Sequence, residues 1–328
     1  MSLRRPAIVG SVVAVLLATG VIVAVARGDR GSRPAKRVTA LVPTTVAPEP
    51  PTTSSTAKPT SPPATTATTG PTSRPATDPA RLAEQLNHVD AVLLDPAATP
   101  TDLAAAGSLQ QLAVVALSLD GALRTAVAPR LTPGARSWFD ATLQASDALT
   151  TIVPARSDMP PWRISPPQPA AQLLSYYLAA QDSSGIPWQY LAAIHLVETR
   201  MGRIHGNSTA NAQGPMQFLP STWARYGGGG DIQSDHDSIQ AAARFLVANG
   251  GLTDMRAALR HYNQADSYVT AVTLYAKQMQ VNERYYYGFY QWQVLYKHVS
   301  GRLILPAGYP DISPIPVTDA AGSFLAGP

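Results

Sequence analysis

The chain has 328 residues, enough for two domains of ordinary size, but 30 of them are proline and only 14% are charged. A net charge of +4 does not by itself indicate a partner, and no stripe of basic and aromatic residues points to nucleic acid. Cysteine is absent, which excludes disulfides, thiol nucleophiles, thiolate metal sites and a lipid-modified cysteine. The six histidines lack the His-Glu-x-x-His spacing of a helical zinc site, so we expect no metal and no cofactor.

An apolar segment lies near the N-terminus. Arg4 and Arg5 precede an uncharged run over residues 6–26, and about twenty apolar residues suffice to span a bilayer. The run ends in Ala-Val-Ala at residues 24–26, a pattern that a signal peptidase can cut. The length of the run favours an uncleaved anchor over a cleaved signal peptide. Either way, residues 1–31 predict export of the remainder.

Residues 32–77 are dominated by proline, threonine, serine and alanine. This composition buries little apolar surface and favours an extended, solvated chain. We predict a disordered linker that places the folded part away from the membrane.

Residues 78–155 predict a small helical region. Three helices begin with a polar residue followed by proline, the preferred N-cap and first helical position. They are predicted to run from residue 79 to about 94, from 100 to about 126, and from 133 to about 153. Their apolar stripes are typical of a core, and the sequence assigns this region no chemistry.

Prolines between residues 154 and 169 indicate a domain boundary. No alternation typical of strands appears, and little after Leu305 has a regular pattern. The predicted fold class is therefore all-α, with a second helical domain over 165–300 and an irregular tail over 301–328. Its helices are predicted over 169–183, from Pro187 past Glu198, and over 237–249, 253–261 and 266–279.

Glu198 is a single carboxylate on the apolar side of its predicted helix. At about 100° per residue it shares that side with Leu191 and Ile194. A carboxylate placed there loses hydration, so we expect a raised pKa, and a neutral carboxylic acid near pH 7 can donate a proton. The next acidic residue along the chain is Asp231. The alternative interpretation is a partly buried Glu satisfied by an arginine or a backbone donor.

Three sequence blocks resemble, in order, the signature of lytic transglycosylases. They are Glu198-Thr199-x-x-Gly202, the Gly-Pro-Met-Gln-Phe-Leu-Pro block that begins at residue 214, and His-Tyr-Asn at 261–263. The second block, at this distance after the first, is the most specific. The resemblance covers roughly residues 165–300 and implies a lysozyme-like helical domain related to goose-type lysozyme. The family more often has alanine before the tyrosine and glycine soon after the asparagine.

The resemblance also implies a reaction. Glu198 would protonate the glycosidic oxygen between N-acetylmuramic acid and N-acetylglucosamine, and then, as a carboxylate, take the proton of the muramoyl C6 hydroxyl, which closes a 1,6-anhydro ring without water. One inward-facing Glu suits this reaction better than a hydrolase with two carboxylates, and the same residue can serve as acid and then base.

The resemblance further implies substrate-binding residues. Gln217 would bond the sugar or orient Glu198, the Tyr262 hydroxyl would lie near the acid, and Asn263 would bond an N-acetyl group. Thr199, Met216 and Tyr268 are further substrate-binding candidates, each with a structural alternative. The alternative for Thr199 is a helix hydroxyl that bonds to a carbonyl, that for Met216 is a core methionine, and that for Tyr268 is a core tyrosine.

We expect a peptidoglycan lytic transglycosylase of a walled bacterium, tethered by residues 6–26 with its catalytic part outside the membrane. Its expected partners are peptidoglycan glycan strands, the membrane and proteins of cell-wall growth or division, but no nucleic acid. Two alternatives stay open: a hydrolytic muramidase that uses Glu198 with water, and a non-catalytic peptidoglycan-binding scaffold.

Overall fold

The computed structural model describes residues 74–325. The predicted membrane segment and residues 32–73 of the predicted linker lie outside the described residues. Residues 74–77, assigned to the linker from the sequence, contact the first helix: Gln85 donates to the Arg74 carbonyl at 3.0 Å and accepts from the Ala76 amide at 2.8 Å. All described residues belong to one compact unit.

The described part is predominantly helical, as predicted. The first helices begin where their caps indicate: Asp78, Thr99 and Thr132 each accept a backbone hydrogen bond from the first turn, and proline follows each of them. The predicted second helix is divided at Asp120, which caps a new short helix. The helices are α1 (Pro79–Leu94), α2 (Pro100–Leu119), α3 (Gly121–Val127), α4 (Pro133–Thr151), α5 (Ala170–Ser184), α6 (Trp188–Thr199), α7 (Pro220–Tyr226), α8 (Asp235–Ala248), α9 (Met255–Tyr262), α10 (Asp266–Val281) and α11 (Tyr285–Tyr290).

The expectation of no strands was wrong. Two short antiparallel strands pair, β1 (Arg163–Ile164) with β2 (Ile204–His205). A second antiparallel sheet holds β3 (Val294–His298), β4 (Gly301–Leu305) and β5 (Ile315–Pro316), in that order. In β3, buried positions alternate with partly exposed ones. The alternation is only five residues long and begins at Val294, shortly after helix α11 ends at Tyr290. Aromatic residues continue from the helix into the strand, so the sequence shows no break between the two elements.

The first four helices share one hydrophobic core with helices α5 to α11. Helix α10 packs against both α4 and α6, and α2 lies close to α11. A Cβ added to Gly107 of α2 would be 2.6 Å from the Gln291 Cβ and 2.7 Å from the Gly288 carbonyl oxygen. Residues 78–155, for which the sequence indicated no role, therefore form part of the packing that supports α6.

Buried polar groups join the same two parts of the chain. The Trp292 indole donates to Gln110 at 2.8 Å, and the Tyr285 hydroxyl donates to Asp90 at 2.8 Å. The Gln111 side chain bonds both the amide and the carbonyl of Gln293. Because buried polar groups are costly when unpaired, these bonds fix how α1 and α2 meet the segment 285–293.

One helix within residues 74–325, α2, is long and apolar enough to cross a membrane by length and composition. Its most apolar stretch is 61% buried in the protein, against α1, α4 and α11. The apolar character of α2 is thus accounted for by its place in the core.

The contact at Gly107 gives a stability prediction. Gly107→Ala should lower the free energy of unfolding by about 1–3 kcal/mol, because the added methyl group overpacks the α2–α11 contact. The matched control is Gly121→Ala, whose Cβ meets nothing within 4 Å and which should shift stability by at most about 1 kcal/mol, towards greater stability.

Denaturant unfolding of the full chain measures both variants. We expect one cooperative transition, since one core includes both regions. Equal effects of the two substitutions, or separate transitions for residues 78–155 and 165–300, would contradict the shared core.

Candidate functional site

Helix α6 carries Glu198 in its last turn. Ten of its twelve residues are buried, including Ala193, which lies opposite the predicted apolar side. Helices α5, α8, α10 and α11 pack around α6, and a helix that is apolar all round is a buried one. The Glu198 side chain is consequently 1% exposed.

The Glu198 carboxyl accepts a hydrogen bond from a tyrosine that enters from α10. The Tyr268 hydroxyl donates to Glu198 Oε1 at 2.7 Å, and Tyr268 is itself fully buried. Burial raises the pKa of Tyr268 well above its ordinary value, and the charge of Glu198 raises it further. The phenol therefore stays protonated and remains a donor to the carboxyl group.

Tyr262 is buried beside Tyr268, and the charge of Glu198 acts on it. Its ring stacks on that of Tyr268, with centroids 6.4 Å apart and planes 6° apart, but its hydroxyl donates to the Met216 carbonyl at 2.8 Å. Tyr268, a substrate-binding candidate with a core role as its alternative, is the tyrosine whose hydroxyl bonds Glu198. Burial, followed by the Glu198 charge, also raises the pKa of Tyr262.

The Gly-Pro-Met-Gln block forms a tight loop beside α6. Gly214 has φ +74°, and a Cβ there would lie 1.8 Å from the Ile232 carbonyl oxygen, so only glycine fits. Gln217 also has a positive φ, at 50°. Its side-chain amide donates to the backbone carbonyls of Gly214 at 2.9 Å and Gly206 at 3.4 Å. Met216 is fully buried. The loop is buried rather than a surface turn.

Thr199 ties this loop to the end of α6. Its hydroxyl donates to the Pro215 carbonyl at 2.6 Å and accepts from the Gly202 amide at 3.1 Å. The predicted alternative was a bond back to its own helix; the observed bond crosses to the loop. Asn263 is half-buried, and its side chain accepts from the Ala265 amide at 3.0 Å. Binding of an N-acetyl group by Asn263 stays a prediction.

A buried polar chain under α6 was missed at the sequence level. His195, one turn before Glu198, has its Nδ1 2.7 Å from the Tyr177 hydroxyl. Its Nε2 lies 3.3 Å from Asp235 Oδ1, within ion-pair distance but without hydrogen-bond geometry. Gly202 makes room for this chain, since a Cβ there would lie 2.7 Å from the same Asp235 oxygen. A histidine flanked by apolar residues on both sides in this helix was the available signal.

The chain leaves α6 through three consecutive residues with positive φ: Arg200 (55°), Met201 (60°) and Gly202 (82°). Two of them are not glycine, and each such residue costs on the order of 1 kcal/mol. Arg203 stabilises the turn by donating to the Arg200 carbonyl at 2.9 Å and the Tyr290 carbonyl at 2.7 Å. Burial of its guanidinium lowers the pKa of Arg203 to about 10. The turn brings Thr199 and Gly202 together next to the Pro215 carbonyl.

No family model, curated protein or solved structure matches the chain.

The two stacked tyrosines allow a matched test of the site. Replacing Tyr268 with Phe removes the donor to Glu198, so its effect on stability should depend on residue 198. In a double-mutant cycle with Glu198→Leu, we expect a coupling energy of about 1.5–3 kcal/mol, the range for hydrogen bonds to charged groups. Urea unfolding of the four proteins measures it.

Tyr262→Phe is the control, since that tyrosine is equally buried and loses a bond of similar length to a backbone carbonyl. Its coupling to Glu198→Leu should be smaller than that of Tyr268→Phe, because the Tyr262 hydroxyl bonds the Met216 carbonyl. Equal couplings for the two tyrosines would refute the assignment of Tyr268 as the partner of the acid.

Proposed function

We propose that the protein is a peptidoglycan lytic transglycosylase with a lysozyme-like catalytic region, in which Glu198 acts as acid and then as base. The observation that carries the proposal is the buried Glu198 carboxyl with the Tyr268 hydroxyl bonded to it. Support also comes from the sequence resemblance and from the loop 214–218, which packs against the end of the Glu198 helix.

In the proposed reaction, Glu198 donates its proton to the glycosidic oxygen as the bond from that oxygen to C1 of the muramoyl unit breaks. The N-acetyl group of that unit stabilises the cation at C1. The Glu198 carboxylate then takes the proton of the C6 hydroxyl, while the C6 oxygen bonds to C1. This step restores the carboxylic acid and closes the anhydro ring. Tyr268 holds the carboxyl in one orientation and stabilises its ionised form by hydrogen bonding.

One observation favours a second candidate, a non-catalytic glycan-binding protein. With Glu198 only 1% exposed, proton transfer to a polymer requires a local opening at the carboxyl group, whereas binding elsewhere on the surface does not. Export, anchoring through residues 6–26 and contact with glycan strands outside the membrane belong to the proposal in both cases.

Digestion of purified peptidoglycan by the full chain in detergent tests the proposal. We expect products lighter by one water than the corresponding hydrolysed muropeptides, identified by mass. Glu198→Gln should lower their rate of formation by about 10²–10⁴, the usual contribution of a general acid. Glu84→Gln, at an exposed position of α1, should leave the rate unchanged.

Products of full hydrated mass would identify a muramidase instead. Binding of peptidoglycan without release of any product, equally by the wild type and by Glu198→Gln, would reject the enzyme and support the glycan-binding candidate.

A further inference from the structure

A cavity adjoins α6 on residues that the proposed reaction does not use. It has a volume of about 340 Å³ and lies between α2, α4, the segment 153–162, the loop 204–209 and the hairpin β3–β4. Val197 and Arg200 of α6 line it, and Glu198 does not. Its size is at the lower end of the range for small-molecule sites, about 300–1,000 Å³.

The charges around this cavity are unbalanced. Its ionisable lining includes four cations and one carboxylate, Asp158. Asp158 is already paired with Arg156, with two hydrogen bonds of 3.1 Å. The other three cations, Arg200, Lys297 and Arg302, form no ion pair with any residue between 74 and 325.

Two of these cations face each other across the hairpin. Lys297 of β3 is directly opposite Arg302 of β4, and like charges in such a pair are destabilising. The Lys297 ammonium donates to the Val153 carbonyl at 2.8 Å, whereas the Arg302 guanidinium has no hydrogen-bond acceptor among the described residues. Burial lowers the pKa of both side chains, and the Arg302 charge lowers that of Lys297 further.

Arg200 is the third cation and the closest to Glu198 along the chain. Its guanidinium donates to the Leu196 carbonyl at 2.7 Å, which leaves most of its five donors without a partner in residues 74–325. Burial lowers its pKa. A partly desolvated guanidinium without a carboxylate is costly, and an anion in the cavity would offset that cost for all three cations.

Four aromatic side chains also line the cavity. Trp162 and Tyr296 meet edge to face with ring centroids 5.9 Å apart, and Tyr275 and Trp292 do so at 5.8 Å. All four rings line the cavity. Such rings offer broad apolar surface with a polar edge, which suits a ligand that combines a carboxylate with an apolar or ring-shaped body.

We propose that this cavity binds the carboxylate of a muramoyl unit of peptidoglycan, through Arg200 and the Lys297–Arg302 pair. The inference rests on the proposed function for its choice of ligand. The carboxylate has two possible sources, the lactyl group of a unit without a peptide and the stem peptide of a substituted unit. The cavity would thus distinguish muramoyl from glucosamine units.

Three probes separate the sources. N-acetylglucosamine lacks the lactyl group, N-acetylmuramic acid carries it with a free carboxylate, and N-acetylmuramoyl-L-alanyl-D-isoglutamine has that group in an amide and its carboxylate on the peptide. Trp162 and Trp292 line the cavity, so tryptophan fluorescence of the full chain in detergent reports binding. We expect at least one acidic probe to bind about tenfold or more tightly than N-acetylglucosamine, as loss of a charged hydrogen bond implies.

The variants locate the site. Arg302→Gln and Arg200→Gln should each abolish most of the preference for the acidic probe. Arg302 lies far along the chain from α6, so its variant keeps the test valid if Arg200→Gln does not fold. Arg163→Gln, an exposed arginine of β1 outside the cavity, should retain the preference.

The tighter acidic probe identifies the source of the carboxylate. Equal affinity for all three probes, no measurable binding, or an unchanged preference in Arg302→Gln would overturn the inference. This test is independent of the digestion experiment: anhydro products without a carboxylate preference would remove only the cavity assignment. A preference that persists without any product formation would remove only the enzymatic function.

Discussion

The structure depends on keeping one carboxyl group, that of Glu198, inside an apolar core. A buried carboxyl without a donor would be unfavourable by several kcal/mol, and the surroundings of α6 are arranged to avoid this. Tyr268 reaches it from α10, and α10 is held in turn between α6 and α4. The geometry at the acid is therefore set by contacts between segments that are distant in the chain.

Backbone conformation makes a second contribution. The left-handed turn after Thr199 and the left-handed residues of the 214–217 loop are each unfavourable for an isolated chain. They persist because the Thr199 hydroxyl and the Tyr262 hydroxyl bond carbonyls of that loop. Backbone strain of this kind clusters at functional sites. Both strained segments adjoin Glu198.

Much of the helical architecture was predictable because its signals are local. Caps such as Asp78 and Thr132 act within a single turn, so the sequence indicates where those helices begin. The role of Tyr268 was not predictable. Tyr262 and Tyr268 are six residues apart on different helices, and which of them faces Glu198 depends on the turn at 263–265 between α9 and α10. The packing of residues 78–155 against the helices that support the site also depends on long-range contacts, which no local sequence pattern encodes.

The close approach of α2 to α11 at Gly107 limits how far the chain can be shortened from its N-terminal side without exposing the core. A fragment beginning near residue 165 would keep every residue named in the three sequence blocks, yet it would uncover the faces of α10 and α11 that α4 and α2 now cover. Exposed apolar surface of that extent favours aggregation. A fragment that keeps this core intact therefore begins at α1, about ninety residues before the first element that the sequence blocks would suggest.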